Sequence, residues 1–388
     1  MNLPIRIMSR DFELLGETDS YTSLQIERSW YGIGVLEMRI NRYKQHADKL
    51  QRGNIIFPHN QLHKGYVIRH KEIELDERGK ITENWIVRAQ SLKAWFTQRL
   101  TFPPEHTAYD SKSGDAESVM RHYVVNNVID PADEDRVLSG IVLEDNLHRG
   151  DHIEWQSRYK VLAEELGEIG FLSGLGWNID IDYENERYIF RVLEGRNLVA
   201  SQSELPPVIF SPEFDTIGQL RYTESELEYK NYAVVAGQGE GVERRIVHVG
   251  DSAGFERYEL FVDARDIEEE TYDDDETEPK PRPEEEIIAD LINRGEQKLK
   301  EHEQEIYMEG QTLSESSLVY EQDYDLGDVV TLQNKDWGIT LDARITEVKE
   351  IYESGRPRRL ELTFDNDKPT LVAKIKQELS GMRLEMTR

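Results

Sequence analysis

The chain has 388 residues, and 77 Asp and Glu against 47 Lys and Arg give it a formal net charge of −30. A surface of that sign repels nucleic acid and anionic membrane, and no basic stripe of the kind a DNA binder carries is visible. The chain has 0 cysteines, which excludes a disulfide framework and any Cys-based metal or redox site.

The expectation is a soluble chain of about two to four domains. No run approaches the roughly 18 apolar residues of a membrane span, and the opening MNLPIRIMSRDFELLGE has no signal-peptide core. FELL and then SYTSLQIERSWYGIGVLEMRI alternate as half-buried strands, with a turn or bulge at Trp30 to Gly34. LQRGNIIF, GYVIRHKEIELDERGK and WIVRAQ follow from Leu50 to Gln90. Residues 1–102 therefore read as a first β-barrel or sandwich.

Past Pro103 and Pro104 the period changes. SGDAESVMRHYVVNNVI (Ser113 to Ile129) predicts a helix capped by Ser113 or Asp115, with Val119, Tyr123 and Val124 at helical spacing. SRYKVLAEELGEIGFLSGLG predicts a second helix, with Val161, Leu162, Leu166 and Ile169 on one face and glycines at its end. WNIDIDYENERYIFRVLEG predicts a hairpin. Residues 103–205 thus form an expected α+β domain that ends at Pro206 and Pro207.

Strands return from Val208 to Val249 and at YELFVDARDI. Between Asp266 and Glu286 there are 12 acidic and 2 basic residues with three prolines, an expected disordered or extended loop. Pro283 and the following glutamates open a helix expected to run to about Met308, with Ile287, Ile288, Leu291, Ile292 and Leu299 buried. A last helix is expected over Pro369 to Met386, and it is too poor in basic residues for a membrane anchor.

The block from Asp325 to Phe364 (DLGDVVTL, WGITLDARITEVKEIYESGR, RLELTF) echoes the earlier one. Both have a Gly-polar step, Gly53-Asn54 and Gly327-Asp328, feeding a β-branched strand. Both then turn through an acidic-x-Gly-basic sequence, Glu77 to Lys80 and Glu353 to Arg356. A small antiparallel module used twice suits a ring-building or adaptor part better than an enzyme.

The candidate chemistry reads as bland. GQGEG (Gly237 to Gly241) could cradle a phosphate only if a helix followed, and VERRIVHV alternates like a strand. His59 and His63, like His148 and His152, have i,i+4 spacing but no helix with the internal Glu of a metal site. TYDDDETE lacks the central Gly and spaced Glu of a calcium loop. Chance carboxylate pairs leave glycoside cleavage the hardest activity to exclude. No catalytic, cofactor-binding or metal residue is assigned, and no enzyme activity or cofactor is expected.

The ordered series YKNYAVVAGQGEGVERRIVHV, RYELFVDARDI, LINRGEQKLKEH and DYDLGDVVTLQNKDWGITLDARITEV resembles the tail-hub (baseplate hub) proteins of tailed bacteriophages. The hubs of siphophages infecting Gram-positive bacteria are the nearest in kind. ERSWYGIGVLEMRI resembles that family's first barrel. The resemblance implies a fold of α+β class, mainly β, with two similar small β-barrel domains and two α+β accessory domains. The second barrel would be discontinuous, 206–236 plus 309–367, around an insertion at 237–308 containing the acidic loop 266–286, and followed by the helix in 368–388.

The resemblance also implies a homotrimer whose six barrels sit under a hexameric tail tube. A distal tail or tube protein would lie on one side and a fibre or tip protein on the other. DNA would pass without specific binding and nothing would insert into a membrane. The protein would reside in the virion tail after assembly in host cytoplasm. Some relatives append a peptidoglycan-cleaving domain, for which about 20 residues after the second block leave no room. The alternative is a carbohydrate-binding or carbohydrate-cleaving β protein with Trp30, Trp85, Trp95, Trp155 and Trp177 lining a groove.

Overall fold

The computed structural model describes residues 2–365 apart from 76–78, 81, 108, 272–279 and 314–315. The expected helix at 369–386, the middle of the acidic loop and part of the first turn (Glu77, Arg78) lie outside the described residues. The chain divides into two compact units: 1–102, 111–221 and 308–367 in one, and 103–110, 222–307 and 368–388 in the other.

The first unit opens with seven strands: β1 (Ile5–Met8), β2 (Leu14–Thr18), β3 (Tyr21–Ser29), β4 (Val35–Asn41), β5 (Ile55–Pro58), β6 (Tyr66–Glu72) and β7 (Asn84–Ser91). Alternation places Leu24, Ile26, Leu36, Met38, Ile40, Ile68 and Val87 in one fully buried cluster. The bend between β3 and β4 needs Gly34, where a Cβ would sit 2.2 Å from the Glu27 carbonyl oxygen.

Then come β8 (Asp110–Asp115), α1 (Ala116–Val124), β9 (Ile141–Leu143), β10 (His152–Ser157), α2 (Leu162–Ser173), β11 (Gly176–Asp182) and β12 (Arg187–Leu193). Asp115 caps α1, its carboxylate accepting from the Ser118 amide at 2.8 Å. A π-helical stretch continues α1 through Ile129, so the expected helix exists with a wider last turn. Gly174, with φ 72, ends α2. β11 and β12 pair as the expected hairpin from Gly176↔Leu193 to Asp182↔Arg187.

The core of this expected separate domain extends onto the first strands. Met8, Ile55, Phe57, Val67 and Phe96 share one hydrophobic cluster with Met120, Leu166, Trp177 and Phe190. The β9–β11–β12 sheet has three strands, and its apolar side chains Trp177, Ile179 and Phe190 cluster with α1 and α2 as well as with residues of the first strands.

After β13 (Asn197–Leu198), β14 (Ile209–Phe210) and β15 (Ile217–Ser225) the chain enters the second unit. There β16 (Tyr232–Ala236), β17 (Ile246–Val249) and β18 (Glu259–Asp263) form a separate sheet, order β17-β16-β18. Residues Tyr232–Ala236, expected in the second barrel, thus belong to this sheet, because Ala233 and Val235 bury their side chains against Ile287 and Leu291. The described ends of the acidic loop make a two-residue ladder, β19 (Glu270–Thr271) with β20 (Lys280–Pro281). Arg245 bridges Glu269 at 2.9 Å and Glu284 at 2.8 Å. Helix α3 (Glu284–Lys300) starts after Pro283 as expected but ends at Lys300. Residues Glu305–Thr312, partly assigned to that helix, form β21, the strand that returns to the first unit and pairs with β15 and β24.

The chain closes with β22 (Val329–Asn334), β23 (Ile339–Glu353) and β24 (Arg359–Asp365). The large sheet runs β15-β21-β24-β23-β3-β4-β7-β6-β5-β1-β2, with β22 beside β23 and β13 and β14 beside β22. One strand order therefore occurs twice, β3-β4-β7-β6-β5 and β15-β21-β24-β23-β22, each in the same chain order. The fold is mainly β with α+β additions. No sheet among the described residues closes into a barrel, because β23 runs past β22 and pairs with β3, joining the copies edge to edge.

Candidate functional site

The two blocks match at the level of single backbone bonds. Gly53 N donates to Ile68 O at 2.8 Å and Ile68 N donates to Asn54 O at 2.9 Å; Gly327 N donates to Ile345 O at 2.8 Å and Ile345 N donates to Asp328 O at 2.9 Å. The glycines have φ 91 and 92, and the turn glycines Gly79 and Gly355 have φ 72 and 77. In each copy the register slips one residue after that isoleucine, between Ile68 and His70 and between Ile345 and Glu347. The Gly-polar step is thus a left-handed turn that launches a strand, and the slip is a β-bulge that bends its partner.

The seam where the copies meet carries a cluster of buried charges. β23 crosses β3 from Glu347↔Ser29 to Glu353↔Ser23. Lys64, at the turn before β6, is buried and lies 2.8 Å from Glu321 and 2.5 Å from Glu350. Arg28 on β3 donates to the Tyr320 hydroxyl at 2.6 Å and to Asp325 at 2.9 Å. His63 meets Glu321 at 2.9 Å. The Tyr352 hydroxyl donates to Glu350 at 2.6 Å, and Arg358 stands 3.4 Å away. Asp328, of the second Gly-polar step, holds Arg196 at 2.6 Å.

These groups act on one another in a consistent direction. Burial alone would raise the Glu321 carboxyl, but hydrogen bonds and charges from His63, Lys64 and Arg28 outweigh it and bring it down to about 2. Burial would lower Arg28, and the facing tyrosine and carboxylates raise it instead. Burial pushes Tyr320 and Tyr66 up. The cluster holds ionised carboxylates against cations, an arrangement that locks two elements together rather than moving protons.

Beside it is a cavity of about 20 Å³ lined by Arg28, Trp30, His63, Lys64, Lys93 and Trp177, room for about one water. Lys93 is buried there, donates to the carbonyls of Ser29 and Trp30 at 3.1 and 3.2 Å, and lies 4.4 Å from the Trp177 ring centre. Burial depresses its pKa well below the usual lysine range. None of Arg28, Lys64 or Lys93 stood out in the sequence. Lys64 and Glu350 are 286 residues apart, and the only local signal is a lysine inside the apolar run LKAWF.

The glycine loop, the histidines and the tryptophans are scattered. GQGEG joins β16 to β17, with Gly237 N donating to Arg245 O at 2.9 Å, so a strand follows it as expected. His59 pairs with Glu17 at 2.7 Å and His63 with Glu321. His148 pairs with Asp115 at 3.0 Å, and His152 meets Ser113 at 2.9 Å. No group of three metal-ligating side chains occurs among the described residues. Trp30, Trp95, Trp155 and Trp177 are buried, and Trp85 is half-buried under Lys71. Four of the five tryptophans of the sugar-groove alternative are therefore core side chains.

This architecture is the fold of phage and prophage tail proteins. It matches the 43 kDa tail protein of prophage MuSo2 from Shewanella oneidensis (TM-score 0.55, 10% identity, 93% of this chain and 98% of that one). It also matches a tail protein from Neisseria meningitidis MC58 (0.55, 9%, 95% and 100%) and prophage tail protein gp18 from Listeria monocytogenes EGD-e (0.51, 11%, 98% and 99%). The chain itself belongs to the Siphovirus ReqiPepy6 Gp37-like family, whose model matches residues 4–365. No curated protein sequence matches it.

Proposed function

We propose that this chain is a structural tail hub: three copies form a ring under a hexameric tail tube, hand over to a three-fold tip, and line part of the channel for DNA. The observation that carries this reading is the doubled strand order, with the copies joined edge to edge through β3 and β23. Three chains so built present six alike modules, which is what a six-fold partner requires of a three-fold ring. In the assembled ring each module would complete the barrel that a single chain leaves open.

The family and the tail-protein fold support a place in the virion tail. The charge of −30 suits a wall past which DNA slides without releasing counterions. A tube-side distal tail protein and a tip-side fibre protein are the proposed partners, and the host is proposed to be Gram-positive. Electron microscopy of tails carrying a tagged chain tests the reading. It predicts three copies at the distal end of the tube, and absence of the tag from assembled tails would overturn it.

A further inference from the structure

We propose that chains pair through the edge of β15 that is open among the described residues and, on a neighbouring copy, the outer half of β6 with the residues that continue it to Leu75, repeating between chains the β3–β23 junction seen within one. This rests on the trimeric reading above and names the surface that builds it. The seam is made by the second copy's long strand: after its bulge, β23 leaves β22 and pairs with β3. β6 is the counterpart of β23, with its bulge in the same place. On its β5 side Tyr66 and Val67 pair with Ile56 and Ile55, and Ile68 bonds Gly53 and Asn54; His70 to Glu72 pair with β7 alone among the described residues. β15 is the counterpart of β3 and, among the described residues, ends the sheet with β21 as its one neighbour. The same junction is therefore half-made at two places that the strand order sets apart in one chain.

The correspondence is detailed enough to give a register. Aligning the bulges matches His70 to Glu347 and Leu75 to Tyr352. β3 and β15 each have nine residues. Both begin on a buried side chain, Tyr21 and Ile217; both have leucine fourth (Leu24, Leu220) and serine last. Within the chain Tyr352 faces Leu24, Ile351 faces Gln25 and Val348 faces Arg28. Carried over, Leu75 faces Leu220, Glu74 faces Arg221 and Lys71 faces Glu224 of the neighbouring copy. The seam thus acquires one apolar pair and two pairs of opposite charge, the combination that stabilises adjacent strands. Leu75 is 60% exposed in the single chain. The Arg221 side chain is 70% exposed, its nearest carboxylate, Glu309, being 3.9 Å away. An unpaired strand edge flanked by such groups is a template for another strand.

The cysteine-free sequence makes the test direct. The double variant Leu75→Cys with Leu220→Cys, oxidised at the concentration where the chain trimerises, is expected to give a covalent ladder ending at three chains. Either single variant should give no ladder. A trimer by light scattering that yields only uncross-linked chains, or a bond within one chain, would overturn the pairing and leave the trimeric reading standing. A monomer at every concentration would overturn both. Charge exchange guards against a folding failure: Arg221→Glu should abolish the trimer while far-ultraviolet dichroism stays native, and adding Glu74→Arg should restore it. No restoration would count against the register.

Discussion

At the residue scale, the two launching glycines separate a backbone requirement from a packing one. Gly53 and Gly327 share the same left-handed φ, but a Cβ on Gly53 meets nothing within 4 Å whereas one on Gly327 would fall 2.2 Å from the Trp30 ring. Gly53→Ala should cost about 1–2 kcal/mol of backbone strain. Gly327→Ala should cost clearly more, because Trp30 is also hemmed in by Gly176 and cannot retreat. Urea midpoints of the two variants check this, and equal losses would mean the ring yields. At the seam, Lys64→Met leaves Glu350 buried without its closest cation, a loss of about 3–5 kcal/mol.

The pH dependence of the same cluster has a definite sign. Glu321 falls from an ordinary 4.5 to about 2 on folding. Its contribution is therefore complete above about pH 4.5 and is lost as pH falls toward 2. Wild type should lose stability relative to Glu321→Gln between about pH 5 and about pH 2, measured by denaturant midpoints. Parallel curves would show that the carboxylate is not held ionised.

At the element scale, the second unit enters where the first copy has a short bend. β3 and β4 are joined by residues 30–34, while β15 and β21 are joined by residues 226–304. Replacing residues 226–304 by a short glycine-containing turn should leave a cooperative melt and the β-rich dichroism of the first unit. Loss of cooperativity would mean that the inserted unit is needed to hold the β15–β21 ladder. Much of this scale was legible in the sequence. The Gly-polar steps, the alternating strands, the Asp115 cap and the Gly174 stop depend on neighbours within a few residues, so pattern reveals them. The strand β21 was not, since EQEIYMEG carries charges at helical spacing and its strand state depends on β15 and β24. The seam lysine was invisible for the same reason: its carboxylates arrive from the far end of the chain.

At the scale of the whole molecule, the repeat changes meaning once the sheet is seen. Two separate barrels were expected; the chain instead shows two open copies fused along β3 and β23, with the core of the α+β segment extending onto the first copy's strands. An open copy has an edge to offer, and a ring of such copies is a way to satisfy every edge by symmetry. Stoichiometry therefore distinguishes such a ring from a single chain. Multi-angle light scattering of the intact chain tests it most directly. A concentration-dependent species at three times the 45.2 kDa chain mass is expected, and a mass that remains at that of one chain as concentration rises would contradict the ring.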